Sequence, residues 1–176
     1  MSQSILQGER IHLRAVEPAD VDALYQWENN PENWKVSNTL IPFSRHLLEQ
    51  YVHSEHDLML QKQLRLMIIS NENGAPVGCL DLFDFDALHL RAGLGIIIAE
   101  VDNRRKGLAT EALHLIIRYG KEVIQLQQLY CSILSGNASS IALFEKAGFI
   151  RTGTRISWRR QADSWEDEHF YQVIFR

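Results

Sequence analysis

Between residues 93 and 125 an apolar run, a basic turn and an amphipathic helix follow one another without a spacer, and this order restricts the fold more than any other stretch. Gly93-Leu94-Gly95-Ile96-Ile97-Ile98-Ala99 is dense in β-branched residues and reads as a buried strand. Asp102-Asn103-Arg104-Arg105-Lys106-Gly107-Leu108-Ala109-Thr110 then carries three consecutive cations and a glycine straight into a helix. On that helix Leu108, Ala112, Leu115, Ile116, Tyr119 and Val123 make a broad apolar face, and Glu111, His114, Arg118, Lys121, Glu122 and Gln125 a polar stripe.

The first turn of a helix has backbone N–H groups with no intrahelical partner, and the macrodipole adds partial positive charge there. Gly107, lacking a Cβ, lets a bound group approach, Ala109 keeps the next turn nearly bare, and Arg104, Arg105 and Lys106 add charge. With Leu108 and Thr110 completing the turn, a phosphorylated ligand is the natural guest.

Arg104-x-x-Gly107-x-Ala109 resembles the Arg/Gln-x-x-Gly-x-Gly/Ala loop of the GNAT acetyltransferase superfamily. A second block, Asn137-Ala138-Ser139-Ser140-Ile141-Ala142-Leu143-Phe144-Glu145-Lys146-Ala147-Gly148-Phe149, is similar to that family's Asn-rich helix ending in Gly-Phe. The resemblance covers nearly the whole chain and lies nearest the branch holding spermidine and ribosomal-protein N-terminal acetyltransferases. It implies that the loop, Ile97, Ile98, Asn137, Phe144 and Lys146 hold acetyl-CoA, and that the strands at 93–99 and 129–134 splay apart to admit its pantetheine arm.

The remaining elements agree with that order. Arg10 to Val16 alternates as a first strand; Pro18 opens a helix that ends near Asn29-Asn30-Pro31; Ser44 caps a second helix carrying Leu47, Leu48, Tyr51 and Val52. Residues 31–43 lack clean periodicity, and His53 and His56 read as surface residues without a metal-ligand set. Strands follow at Leu64–Ser70, Pro76–Phe85 and His89–Ala99, the first two joined at Asn73-Gly74; after the long helix come a strand at Leu129–Leu134, a helix at Ala138–Lys146, and strands at Phe149–Trp158 and Glu168–Phe175 around an Arg159–Ser164 turn. The expected class is α+β: a GNAT-like mixed, mostly antiparallel sheet of about seven strands flanked by about four helices, as one domain over residues 1–176.

Hydrophobic residues at 45% and charged residues at 23% are ordinary globular values, and a net charge of −4 disfavours a nucleic-acid partner. No membrane-length apolar run and no secretory signal pattern is present, so the expected compartment is the cytoplasm. Cys79 and Cys131 sit in strand-like runs and are expected to be reduced core residues. No metal is expected, and a homo-oligomer is compatible with the chain.

The implied activity is N-acetyl transfer from acetyl-CoA to a primary amine, on a polyamine-like small molecule or a protein N-terminus. A non-catalytic acyl-CoA-binding sensor of the same fold is the alternative, because two family positions differ. The fourth-strand glutamate that serves many members as base falls at Gly93, and the usual tyrosine acid falls at Phe144. Asp81, Asp84 and His89 are the candidate catalytic groups, acting directly or through water, with Asp86 beside them. For the acceptor, Trp34 and Phe43 are candidate walls, and Glu28 with Glu32, Asp81, Asp84 and Asp86 would favour a cation.

Overall fold

The computed structural model describes residues 5–37, 39–99, 106–161 and 163–176. Seven strands form one sheet in the order β1 (Ile11–Ala15), β2 (Leu64–Ser70), β3 (Pro76–Asp86), β4 (Arg91–Ile98), β5 (Gln128–Leu134), β7 (Trp165–Ile174), β6 (Ile150–Arg160). Every pairing is antiparallel except β4 with β5. Among the described residues six α-helices accompany it, α1 (Val21–Glu28), α2 (Pro31–Ser37), α3 (Arg45–Val52), α4 (Leu58–Gln61), α5 (Leu108–Glu122) and α6 (Ala138–Lys146), with a 3-10 turn at Pro18–Asp20 leading into α1.

Strand alternation explains why helices cover both faces. On β2, Leu66 and Ile68 join a cluster with Ala112, Leu113 and Ile116 of α5, whereas Met67 and Ile69 join Leu24 and Trp27 of α1 and Val52 of α3. A strand apolar on both sides has to be buried on both sides. The amphipathic face expected of α5 packs as read, with two corrections. Val123 lies beyond the helix and is exposed, and Glu111 is half-buried, because its carboxylate accepts the backbone N–H groups of Glu9 and Arg10 and the Arg10 Nε at 3.1 Å.

α2 and α4 were not legible as periodic patterns, since both are short and held by polar side chains. Asn30 accepts the Glu32 N–H at 3.0 Å, buried Asn33 donates to the Trp27 carbonyl at 3.0 Å, and Trp34 Nε1 donates to the Glu28 carbonyl at 2.6 Å. Asp57 caps α4 through Met59 and Leu60. Ser44 and Asn137 cap α3 and α6 as expected. His53 is exposed, whereas His56 is half-buried edge-on to Tyr51, its Nε2 buried without a hydrogen-bond partner among the described residues.

Buried Asp20 fixes the turn from β1 into α1. Arg14 donates to both its carboxylate oxygens, at 2.7 and 2.8 Å, and the Glu17 N–H adds a third bond at 2.8 Å. Burial alone would raise the Asp20 carboxyl, but the guanidinium and the backbone donor hold it below the ordinary carboxylate range. A carboxyl depressed in the folded state stabilises above its unfolded pKa and loses that contribution as pH falls through its folded value. Asp20→Asn is therefore expected to cost about 2 kcal/mol at neutral pH, with the gap to the parent closing below about pH 4. Urea melts of the two proteins across that range check this.

Candidate functional site

β4 and β5 pair in parallel only at Arg91–Gln128, Ala92–Leu129 and Gly93–Tyr130. Beyond Gly93 they diverge, and a cleft opens between them. Three cavities with shared walls fill it, of about 400, 200 and 900 Å³.

The first cavity lies at the start of α5. Gly107 is the N-cap with φ +78°, a conformation that suits glycine, and the Arg10 guanidinium lies 3.0 Å from where a Cβ would stand. Arg10 Nη1 also donates to the Lys106 carbonyl at 2.6 Å, so the residue that precedes β1 holds the turn in place. The first bond within the helix runs from the Glu111 N–H to the Gly107 carbonyl, so the N–H groups of Leu108, Ala109 and Thr110 precede the ladder. Gly107, Leu108, Ala109 and Thr110 line this cavity, opposite Ile97 and Ile98. Asn137 borders it too, its Oδ1 accepting the Ser140 N–H at 3.2 Å and the Ser139 hydroxyl at 3.0 Å. Exposed Lys106 and Lys146 stand outside the three cavities, and Arg104 and Arg105 lie outside the described residues.

The middle cavity is a narrow slot with Ile96, Ile97, Ile133 and Phe144 in its walls. Phe144 is buried and meets Phe149 edge-to-face at 5.1 Å, so it contributes shape and no proton. Cys79 and Cys131 also reach this slot, and both are free and buried. Burial pushes each thiol up to about 12. A thiol held protonated is a poor nucleophile. Iodoacetamide at about pH 8 is expected to leave both cysteines unmodified in the native protein and to label them once urea unfolds it, with mass spectrometry reading the adducts.

The wide cavity opens on the other side. Phe43 lines it, its backbone clamped by Asn29, which donates to the Phe43 carbonyl and accepts its N–H. Trp34 lies outside the cavity lining and braces the α1–α2 corner instead. Glu28 and Asp81 are brought together by Arg65, which binds Asp81 through Nε and Nη2 at 2.8 and 2.9 Å and Glu28 through Nη1. Asp84 lines the cavity with φ +49° and makes no ion pair or hydrogen bond among the described residues. His89 is exposed on the turn between β3 and β4, outside the three cavities, where Asp86 accepts its N–H and pairs with Arg91. The structure thus brings Asp81 and Asp84 to the cleft and leaves His89 and Asp86 at the far hairpin.

Gly93 has a steric reason. A Cβ there would sit 2.2 Å from the Phe83 ring, which occupies the space a fourth-strand carboxylate would need. Tyr130, Arg155, Arg159 and Glu168 also line the wide cavity, and none was singled out from sequence. The alternation of Leu129, Cys131 and Ile133, all buried, with Tyr130 and Ser132 is the signal that could have placed Tyr130 on the opposite face of β5. Arg159 was assigned to a turn, but β6 continues to Arg160 and pairs Arg159 with Glu166. Burial, with the charge of Asp84 adding to it, raises the Tyr130 phenol.

Such a cleft suits an extended ligand whose anionic end meets the α5 turn and whose slender arm fills the slot, facing a second, polar reactant in the wide cavity. The model of the acetyltransferase (GNAT) domain matches residues 10–150. The uncharacterized N-acetyltransferase p20 of Bacillus licheniformis is 27% identical over 173 residues, 97% of this chain and 96% of that protein. Spermidine N(1)-acetyltransferase of Escherichia coli is 27% identical over 145 residues, 81% of this chain and 74% of its own. The Vibrio cholerae spermidine N-acetyltransferase, solved with CoA and spermine, superposes with a TM-score of 0.83 at 19% identity, covering 95% of this chain and 96% of that one.

Proposed function

The chain belongs to the GNAT acetyltransferase family, and on that premise we propose that it transfers the acetyl group of acetyl-CoA to a primary amine held in the wide cavity. The observation that carries this is the continuity of the three cavities: an anion-binding turn, a slot and an acceptor space share walls along the divergence of β4 and β5.

The N–H groups of Leu108, Ala109 and Thr110 would hold the pyrophosphate, and Ile96, Ile97 and Phe144 would shape the passage for the pantetheine arm. Bound there, acetyl-CoA supplies an activated thioester acyl group. The residues of the chain then have to hold the amine and receive its proton. As the amine nitrogen forms its new bond to the acyl carbon its proton becomes strongly acidic, and Asp84 is the cavity carboxylate left free to take it, directly or through one water, while the C–S bond breaks and coenzyme A departs as its thiolate to be protonated from solvent. Asp81 is occupied by Arg65, which suits it to positioning.

Ala109→Glu tests the cofactor end. An acid in the first turn favours the helix, so the fold should hold, while coenzyme A affinity should fall about 100-fold, on the order of 3 kcal/mol. Unchanged affinity by isothermal titration would place the ligand elsewhere.

Asp84→Asn tests the acceptor end. Parent turnover is expected to rise from about pH 7 toward pH 9 with the free-amine population, without a falling limb, since the Tyr130 phenol keeps its proton. The variant is expected to lose about 100-fold at neutral pH and to recover part of it as pH rises. A parent-like profile would assign the proton to solvent, and coenzyme A binding without turnover across a broad amine screen would favour the sensor reading.

A further inference from the structure

The wide cavity is charged on both sides, and the two sides differ in sign. On the side formed by α1, β2 and β3, one arginine, Arg65, stands against three carboxylates, Glu28, Asp81 and Asp84. On the side formed by β6 and β7, two arginines, Arg155 and Arg159, stand against one carboxylate, Glu168. In the sheet these walls are separated by β4 and β5. Of the acids expected to favour a cation, Glu28 and Asp81 are taken up by Arg65 and Asp86 by Arg91, and the opposite wall carries excess positive charge.

The basic wall is built to stay in place. Glu168 is buried, accepts from Arg155 Nη1 at 2.6 Å, and lies 3.5 Å from Arg159 Nε. Arg155 is further held over the rings of Trp158 and Phe170, at 5.2 and 5.8 Å from their centroids. One carboxylate offset by two guanidiniums leaves donors for a second anion, and a guanidinium is suited to a carboxylate through paired N–H groups. Arg159 reaches the slot as well as the wide cavity, so an anion bound there lies beside the reacting region.

Resting on the acetyltransferase reading above, we propose that the acceptor is a primary amine that also carries an anionic group, its ammonium lying toward Asp84 and its anion toward Arg159 and Arg155. A linear polyamine offers this cavity a second cation where the wall is positive, an arrangement that costs affinity instead of adding it. An acceptor with both charges satisfies both walls. Free amino acids and peptides beginning with acidic residues share this chemistry.

The experiment compares kcat/KM for matched acceptors with acetyl-CoA: amino acids, their carboxamides, short peptides with an acidic or a neutral second residue, and spermidine. The parent is expected to prefer the carboxylate form over its carboxamide by about tenfold or more, with the difference mainly in KM. Arg159→Gln is expected to abolish that preference, bringing kcat/KM for the carboxylate form down to that of its carboxamide, and Arg155→Gln to reduce it. If the acidic peptides carry the preference and free amino acids do not, the anion belongs to a peptide; the reverse result assigns it to a small molecule. Equal or better turnover of carboxamides or spermidine in the parent would overturn the proposal, and so would an undiminished preference in both arginine variants. No turnover with any amine would overturn the acceptor reading beneath it as well.

Discussion

Three residue pairs join β4 to β5, and the cleft exists because there is no fourth. Backbone N–H and C=O groups are obligatory hydrogen-bonding groups, so the facing edges past Gly93 and Tyr130 must find water or a ligand. An arm carrying its own amide groups can enter as a partial third strand between them. The sheet tolerates this gap because each strand is secured from its other side: β4 pairs with β3 along its length and β5 with β7. The first turn of α5 lines one end of the cleft, and Arg10 ties it, through Glu111 and the Lys106 carbonyl, to the segment before β1.

Elements whose stability comes from an apolar face were legible. α5, the two-faced β2 and the capped starts of α3 and α6 follow from periodicity and from Ser44 and Asn137. Elements held by polar side chains were not, because Asn30, Asn33 and Trp34 fold α2 through hydrogen bonds that leave no apolar rhythm.

The same distinction divides the site. The turn proposed to bind the anion is a local backbone feature, so a glycine before an apolar helix is enough to point to it. The wide cavity is assembled from side chains far apart in sequence, Glu28 with Arg65 and Asp81, Arg155 with Glu168, and charge pairing across such distances has no local signature. Asp84 and His89 looked alike as polar residues near a turn. Only the length of the β3–β4 hairpin distinguishes them, since Asp84 still reaches the cavity and His89 lies past the bend.

Phe83 and Gly93 are two halves of one decision. The ring on β3 fills the space above the bare backbone of β4, and it also meets Tyr130 across the parallel pair at 6.2 Å between centroids. A carboxylate cannot be added at position 93 while the ring remains, and removing the ring alone leaves a hole beside the tyrosine. In mutational terms the two sites form a single locus with a barrier between its states. A lineage with this pair would reach a glutamate on β4 only through an intermediate that packs poorly, so selection on proton transfer would act first on carboxylates carried elsewhere, such as Asp84 on β3.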